Sequence, residues 1–372
     1  MMRWQIFSTI FLFFSFVVTP FGHAQEVPIG QWRTHFSYNS ANSIERVQDD
    51  LFVAESNLYS FSLVSNEYTI YSKVNGLSDV NIELIRYDAQ TDNLVILYQN
   101  GNIDLLQQGK FTNIPDIKNV NITGSKRIHS LYFKNQLIYI CTDFGIVVLN
   151  PSRREIKETY VLQDGAEVIG IRALSSKNGL FYAATSKGLF TANENSTNLQ
   201  NYTAWTSINT LPLSQLFLHQ DSLFTLSDKT LYTIHGSALT PCYTAIGNVS
   251  MVRPGVEDIY VCEQGEDRRA IMTLSKLGML KDSVFMVNPV DVIETSPNEI
   301  WEADEWEGLI RLENRKSKTV LNPNGIYANS IYKLSVVDEE IYVSGGGESG
   351  WNALYNRVGF SRFKQQTWDW FN

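Results

Sequence analysis

One spacing recurs along this chain and limits what it can fold into. Five leucines stand 43 residues apart, each opening a short apolar hairpin pattern: Leu51, Leu94, Leu137, Leu180 and Leu223. Looser copies, at steps of 36, 41 and 41, follow around Ile259, Ile300 and Ile341. A repeat of this length indicates one supersecondary unit that must pack against its neighbours to bury its apolar surface.

The third copy shows what each unit contains. Short polar turns separate four strand candidates, at 127–134, 137–141, 146–150 and 155–162. The middle two are apolar at successive positions, so both faces of this hairpin need apolar partners. Radially arranged propeller blades cover one another in this way. We therefore predict an all-β protein: a seven-bladed β-propeller of four-stranded antiparallel blades, plus the first blade of a second, truncated propeller.

These repeats divide the chain into four segments. We expect a signal peptide over 1–24, then an N-terminal outer strand over 25–38 that is a candidate to close the second propeller. The seven-bladed propeller is expected over 39–326 and the first blade of the second over 327–372. That last blade carries a glycine-rich insertion, GGGESG at 345–350, which we interpret as a flexible surface loop. A single eight-bladed ring is the alternative.

The N-terminus carries the pattern of an export signal. Arg3 precedes an apolar run, 6–18, that is too short to span a bilayer comfortably. Small residues then favour cleavage between Ala24 and Gln25. We expect export through the inner membrane to the periplasm or cell surface, with no membrane span in the mature chain. The formal net charge of −9 argues against a nucleic-acid partner, because such a protein needs a basic face.

The cysteines are too few for a disulfide framework. The chain has three, Cys141, Cys242 and Cys262. Cys141 lies in the apolar hairpin and is expected to be a small core residue. Whether Cys242 and Cys262 pair stays open, because pairing depends on geometry that the sequence does not give.

Two stretches carry a family resemblance. Residues 73–106, KVNGLSDVNIELIRYDAQTDNLVILYQNGNIDLL, resemble propeller repeats in sensors of two-component regulators: NGLS, a strand, a turn with Asp, and a strand closing on a glycine hairpin. The wider layout has IGQWRTHFSYNSANSI after the signal peptide, irregular blades, and then IYVSGGGESGWNALYNRVGFSRFKQQTWDWFN. This layout is similar to the PorZ-like accessory proteins of the type IX secretion system in Bacteroidetes.

The resemblance implies an architecture and partners. PorZ-like proteins have two seven-bladed propellers and a small β-sandwich sorting domain, and this chain departs from that pattern after its eighth repeat, so we expect it to be truncated. The implied partners are a sortase-like protein and other attachment-complex proteins, with anionic lipopolysaccharide or another glycan as ligand. Bacteroidetes also O-glycosylate Asp-Ser/Thr-apolar sequences, which makes Ser222 and Ser283 candidate sites.

Signatures of chemistry are missing from the sequence. It has no nucleophile elbow, no phosphate loop and no histidine or cysteine pair at metal-ligand spacing, so we predict no catalysis, metal or cofactor. His129 is expected to be structural. Four acids at 302, 304, 305 and 307 match the residue types of a calcium site or a glycosidase pair, but a solvated loop is the simpler interpretation.

Candidate ligand-binding residues are few. Trp306 and Trp351 lie in loops, where an indole can stack on a sugar ring or wedge between blades. The basic pairs Lys126-Arg127 and Arg268-Arg269 match what anionic sugars or phosphates need, although isolated basic pairs are usually solvated. The weak candidates are Trp306, Trp351, Arg268 and Arg269, and the binding face remains unknown.

Three functions remain open at this point. The leading one is a non-catalytic cell-surface binding and scaffold protein of the type IX secretion system, which helps present anionic lipopolysaccharide to a sortase-like partner. The second is the ligand-sensing propeller ectodomain of a two-component regulator. The third is a polysaccharide-active propeller enzyme, which requires two acids and an aromatic platform at one mouth of the ring.

Overall fold

The computed structural model describes residues 32–122, 124–297, 299–354 and 359–371. Within these ranges the regular structure is almost entirely β, and the helical elements are α1 (Asp116–Asn119) and one 3₁₀ turn (Tyr202–Ala204). No helix of this described part is long and apolar enough to cross a membrane. The predicted signal peptide over 1–24 and its cleavage site at Ala24 and Gln25 lie outside the described residues.

Seven four-stranded antiparallel sheets follow one another in the described chain, and we number them 1 to 7. Sheet 1 contains β1 (Ser43–Val47), β2 (Asp50–Ala54), β3 (Leu58–Ser62) and β4 (Tyr68–Tyr71). Sheet 2 contains β5 (Ile82–Asp88), β6 (Asn93–Tyr98), β7 (Ile103–Gln107) and β8 (Lys110–Ile114). Sheet 3 contains β9 (Ile128–Lys134), β10 (Leu137–Thr142), β11 (Gly145–Asn150) and β12 (Glu155–Tyr160).

The later sheets repeat this order. A small hairpin, β13 (Leu162–Asp164) and β14 (Glu167–Ile169), precedes sheet 4, which contains β15 (Ile171–Lys177), β16 (Leu180–Thr185), β17 (Gly188–Asn193) and β18 (Thr206–Asn209). Sheet 5 contains β19 (Gln215–His219), β20 (Ser222–Ser227), β21 (Thr230–His235) and β22 (Ala238–Thr244). Sheet 6 contains β23 (Asn248–Pro254), β24 (Ile259–Gln264), β25 (Ala270–Leu274) and β26 (Leu280–Phe285). Sheet 7 contains β27 (Pro289–Ser296), β28 (Glu299–Asp304), β29 (Gly308–Glu313) and β30 (Ser317–Val320).

These sheets are arranged radially around an axis. The first strand of each sheet contacts the first strand of the next, and β27 of sheet 7 returns to contact β1 of sheet 1. Tight hairpins build each sheet: Asn135 and Gln136, both with φ near +55°, form the two-residue turn between β9 and β10. The predicted all-β propeller of four-stranded antiparallel sheets is therefore confirmed.

The hairpin of β10 and β11 is covered on both faces. Tyr139 faces sheet 4, where its ring lies 5.4 Å from the ring of Phe181. Ile140 points the other way, into the apolar cluster that it shares with Val95 of sheet 2. Each fully buried side chain of this size contributes about 2 kcal/mol of transfer free energy. The absence of a polar face in this hairpin is thus explained by its two neighbouring sheets.

A buried ion network joins the first and last sheets of the ring. Asp291 on β27 is fully buried, and it contacts Arg86 of sheet 2 at 2.9 Å and Arg253 of sheet 6 at 3.1 Å. Arg253 also pairs with Glu45 on β1 at 2.6 Å. Burial opposes ionisation of Asp291, but the two arginines outweigh it and lower its pKa. Four innermost strands are therefore linked near the axis.

An eighth sheet follows the ring. It contains β31 (Lys333–Val337), β32 (Glu340–Ser344), β35 (Phe360–Lys364) and β36 (Thr367–Phe371). The glycine-rich insertion lies between its middle strands and forms a separate hairpin, β33 (Glu348–Ser349) and β34 (Asn352–Ala353). That insertion was expected as a flexible loop and instead contains a short ladder. The assignment of 327–372 to a second, truncated propeller stays a prediction.

Residues 32–42 connect the ring to the eighth sheet. Tyr38 packs in the apolar cluster between sheets 1 and 7, and Ala41 donates a backbone hydrogen bond to Asp304 at 3.0 Å. On the other side, His35 accepts a 2.9 Å hydrogen bond from the indole of Trp368. An outer strand was expected over 25–38; the described part, 32–38, contains no strand, and the backbone N–H of Ser37 donates to the Asn329 side chain at 2.8 Å instead of to a neighbouring strand. Whether this segment closes a second propeller stays a prediction.

All three cysteines are free. Cys141 is fully buried, in agreement with its expected place in the core, and burial raises its pKa to about 12. Cys242 and Cys262, whose pairing the sequence left open, lie on β22 and β24 of adjacent sheets and form no bond.

Candidate functional site

One face of the ring carries the segments that join successive sheets, together with the hairpins between second and third strands. We call it the connection face. Its joining segments are long between sheets 1 and 4, at 72–81, 115–127 and 161–170, and short between sheets 5 and 7, at 245–247 and 286–288. The long connections raise the connection face on one side of the axis, and we expect clefts between them.

A cavity of about 370 Å³, with both polar and apolar lining, lies on that raised side, between sheets 2 and 3. We call it the mouth cavity, and it is lined by Glu83, Tyr98, Gln99, Asn100, Ser125, Lys126, Arg127 and Ile128. Glu83 belongs to β5 and Ile128 begins β9, so the cavity adjoins the innermost strands. Amide, hydroxyl and cationic groups here provide the donors that a charged sugar requires.

The balance of charge in the mouth cavity is positive. The Arg127 side chain is 67% exposed, and its nearest acid is Glu83 at 3.8 Å. Lys126 donates to the backbone carbonyl of Lys118 at 2.8 Å and has no acid partner within the described chain. Nearby Asp79 is already neutralised by Lys118 at 2.7 Å. Burial opposes ionisation of Asp79, but hydrogen bonds from Lys118 and from an amide outweigh it and lower its pKa to about 2.

A second polar cluster adjoins this cavity. His129 on β9 lies 2.7 Å from Asp143, and Arg172 on β15 lies 3.0 Å from the same carboxylate. Ser125, which lines the cavity, is also a hydrogen-bond partner of Asp143. Burial lowers the pKa of His129, the hydrogen bond to Asp143 opposes this, and the charges of Arg172 and Arg127 lower it further. The net result is a pKa below the ordinary value of histidine, so His129 is neutral at pH 7.

The weak candidates from the sequence occupy other places. Trp306 and Arg269 meet on the connection face between sheets 6 and 7, with the guanidinium 4.5 Å from the indole ring. Arg269 also donates to the Gly265 carbonyl at 3.1 Å, and Arg268 contacts the sulfur of Met272 at 3.9 Å and the side chain of Tyr243. Trp306 and Arg269 therefore clamp two hairpins together. Four acidic residues are close in sequence to this pair: Glu266, Asp267, Glu305 and Glu307. Their negative charge makes the pair a poor binding site for an anion.

Trp351 is not part of that arrangement. It follows Gly350 in the turn between β33 and β34 of the eighth sheet, and its side chain is fully exposed. The two tryptophans thus lie on different sheets, and the structure shows no aromatic platform that combines them.

The acidic run at 302–307 is not a solvated loop throughout. Glu302 and Asp304 are fully buried, and Asp304 accepts backbone hydrogen bonds from Asn288 at 2.6 Å and Trp306 at 2.8 Å. Glu305 bonds to Asn288, and Glu307 pairs with Lys318. The described residues contain no group of three or more His, Cys, Asp or Glu side chains that could hold a metal ion. Asp304 instead anchors the hairpin that carries Trp306.

The two candidate glycosylation serines differ in access. Ser283 lies on β26, the outer strand of sheet 6, and is exposed, with its backbone N–H donating to Asp282 at 2.8 Å. Ser222 begins β20, the second strand of sheet 5, and is half-buried. Ser283 is therefore the more accessible of the two, and modification of either stays a prediction.

The radially arranged four-stranded sheets make this a β-propeller protein. Residues 51–206 match the family model described as TSS9, PorZ, N-terminal β-propeller domain. Residues 51–206 are thus similar to the N-terminal propeller of PorZ, which confirms the resemblance drawn from the sequence. No curated protein matches the chain in sequence.

Solved structures agree on the fold. PorZ of Porphyromonas gingivalis, described as an essential bacterial surface component of the type IX secretion system, superposes with a TM-score of 0.75 at 22% identity. That match covers 92% of this chain and 46% of PorZ, so the chain spans about half the length of that protein. The WD40 propeller domain of Doa1 matches with a TM-score of 0.54 at 14% identity, over 75% of this chain and 93% of that one. A chain of the mitotic checkpoint complex matches with a TM-score of 0.55 at 12% identity, and the match covers 82% of this chain and 99% of that one.

Proposed function

We propose that this chain is a non-catalytic, cell-surface binding and scaffold protein of the type IX secretion system. Its mouth cavity binds the anionic sugar portion of lipopolysaccharide and helps present it to a sortase-like partner for attachment to cargo. The observation that carries the proposal is the placement of Lys126 and Arg127 beside amide and hydroxyl groups in one concave site. The PorZ-like sequence of residues 51–206 supports the secretion-system assignment.

The composition of the cavity favours binding over hydrolysis. A glycosidase needs a pair of carboxyl groups on either side of the scissile bond. The lining contains one carboxylate, Glu83, and the aromatic Tyr98 is buried with its hydroxyl donating to Asp104 at 2.6 Å. Cationic and amide donors recognise charge and hydroxyl groups without supplying that acid–base pair.

Binding of purified anionic lipopolysaccharide to the whole chain tests the ligand. The Lys126→Ala/Arg127→Ala variant is expected to bind at least tenfold more weakly, because each charge-assisted hydrogen bond contributes about 1.5–3 kcal/mol. Affinity should also fall as salt is raised. The matched control is Arg268→Ala/Arg269→Ala, which removes the same charge on the far side of the axis and should leave the dissociation constant unchanged. Equal affinity of both variants would place the ligand elsewhere.

The scaffold role is tested separately in cells. Affinity-tagged protein isolated from native membranes should bring with it a sortase-like protein and other attachment-complex components, identified by mass spectrometry. Recovery of a histidine kinase instead would replace the proposal with the sensor function.

A further inference from the structure

The cluster beside the mouth cavity brings three polar groups together at one ring nitrogen. The Nε2 atom of His129 lies 2.7 Å from the Asp143 carboxylate and is also the imidazole nitrogen nearest to the guanidinium of Arg172. The same guanidinium nitrogen reaches Asp143 at 3.0 Å. In neutral His129 an unprotonated Nε2 accepts from Arg172, since a guanidinium can only donate. Arg172 is then held by two acceptors, one of which exists only while His129 is neutral.

The charges around His129 come from four elements. Asp143 lies in the hairpin after β10, Arg172 lies on β15, and Arg127 precedes His129 on its own connection. Strand β5 packs against β9 and carries Glu83, which is nearest Arg127, and Arg86, which is turned toward Asp291. Among the described residues, Asp143 is therefore the acid in contact with both His129 and Arg172. Protonating His129 places a proton on Nε2, sets two cations on one carboxylate and removes the Nε2 acceptor of Arg172.

We propose that Arg172 is a third anion-binding side chain at this mouth and that the proton on His129 controls its release. At neutral pH, Asp143 and His129 hold Arg172 away from the ligand. When His129 is protonated, it keeps Asp143 as its own partner, and the 33% exposed guanidinium of Arg172 turns into the mouth. The proposal rests on the proposed function, because it adds a regulated cation to the same anion site.

The sign of the pH effect follows from the hydrogen bonds. Burial and the neighbouring arginines keep His129 neutral until the pH is below its ordinary titration range. Anion affinity should therefore rise as the pH is lowered from 7.5 to 5. Lys126 and Arg127 contribute to the affinity at every pH, and we assign the change with pH to the proton on His129.

Dextran sulfate is the probe, because its sulfate groups stay ionised throughout this range. For the whole chain we expect the dissociation constant to fall about three- to tenfold between pH 7.5 and 5, as one more charge-assisted contact forms. His129→Gln and Arg172→Gln should both give a nearly flat profile. Lys126→Ala/Arg127→Ala should bind more weakly at each pH but keep the slope. Circular dichroism of each variant confirms that it is folded.

A ligand-free measurement separates this inference from the proposed function. Selective ¹³C labelling of histidine, with the His129 signal assigned by its loss in His129→Gln, should show the His129 titration moving to higher pH in Arg172→Gln. If dextran sulfate binds through Lys126 and Arg127 with a pH-independent affinity, the inference is overturned and the anion site stands. Absence of binding to the wild-type chain at any pH would overturn both.

Discussion

Glu302 is a carboxylic acid inside an apolar interface. It lies on the same face of β28 as Ile300, which packs with Cys262 of sheet 6, and it is fully buried. No donor among the described residues bonds to its carboxyl oxygens, and its one side-chain hydrogen-bond neighbour there is the carboxyl group of Asp304. Burial, and then the negative charge of Asp304, raise its pKa well above the ordinary value of 4.5. Glu302 therefore keeps its proton to a higher pH than an exposed glutamate does.

Replacing Glu302 by leucine should stabilise the protein. The folded pKa of Glu302 is raised, so the wild-type chain loses stability as the pH rises above the unfolded value near 4.5. An unsatisfied buried polar group costs about 1–3 kcal/mol, and we expect Glu302→Leu to recover a similar amount, most at high pH. Urea unfolding at pH 5 and 8 measures this, with exposed Glu67→Gln as control. A variant with the same pH dependence as wild type would contradict the assignment.

The sequence could not have shown this environment. The four acids at 302, 304, 305 and 307 were predicted to lie in a solvated loop, because charged residues in a run are usually exposed. In the structure Glu302 lies within a strand and Asp304 ends it, so only Glu305 and Glu307 project from the hairpin. Residues 300–304 are all buried, because neighbouring sheets cover both faces of β28, so Glu302 and Asp304 are buried with it.

At the scale of single elements, two hairpins contain the same threonine–glycine hydrogen bond. Thr142 and Thr185 each donate a 2.8 Å side-chain hydrogen bond to the carbonyl of a glycine three residues on, Gly145 and Gly188. Both glycines have φ above +100°. A Cβ at Gly188 would lie only 1.9 Å from the carbonyl oxygen of Asn209, at the end of the fourth strand. Because glycine has no side chain, the fourth strand of each sheet can lie close to the hairpin between the second and third strands.

Gly188→Ala should therefore separate β18 from β17. We compare it with Gly179→Ala, where φ is +78° but a Cβ would meet no atom within 4 Å. The control should lose about 1–2 kcal/mol through backbone strain alone. Gly188→Ala should lose about 1–3 kcal/mol more, because the steric clash displaces the fourth strand. Thermal unfolding of the two variants decides the matter, and equal losses would mean that the close approach is unimportant.

The sequence period predicted most elements but not every register. Four strands were expected in the third repeat, and β9 to β12 lie within a few residues of those positions. Leu137 pairs with Lys134, however, whereas Leu94, at the same step, pairs with Tyr87. The turn after β5 is longer, so Ile85 and Ile128 share a sequence step without sharing a structural position. Hairpin length changes register without changing the apolar pattern.

At the scale of the whole molecule, Asp291 holds the ring together where its ends meet. Asp291→Asn would leave Arg86 with no carboxylate at contact distance among the described residues and should destabilise the protein by about 3–5 kcal/mol. The Arg86→Leu/Asp291→Leu double variant removes a charge of each sign, and Arg253 keeps Glu45. It should recover a large part of the loss in urea unfolding. A double variant as unstable as the single one would show that the packing of these side chains, and not their charge, is what matters.

The mouth cavity could be predicted only in part. The basic pair Lys126-Arg127 was visible in the sequence, but Asn100 comes from the previous repeat, and its proximity depends on how the 115–127 connection folds back. Trp306, Trp351, Arg268 and Arg269 stood out because of their residue types. The ion pairs and hairpin contacts that occupy or surround them depend on neighbours up to 40 residues away, which no local pattern reports.

The joint formed by residues 32–42 also sets an order of assembly. His35 and Trp368 are separated by 333 positions, yet their rings meet. Because translation proceeds from the N-terminus, His35 emerges from the ribosome early and must wait for almost all of the described chain before its partner exists. Until then, the flank of this segment that Trp368 covers stays exposed.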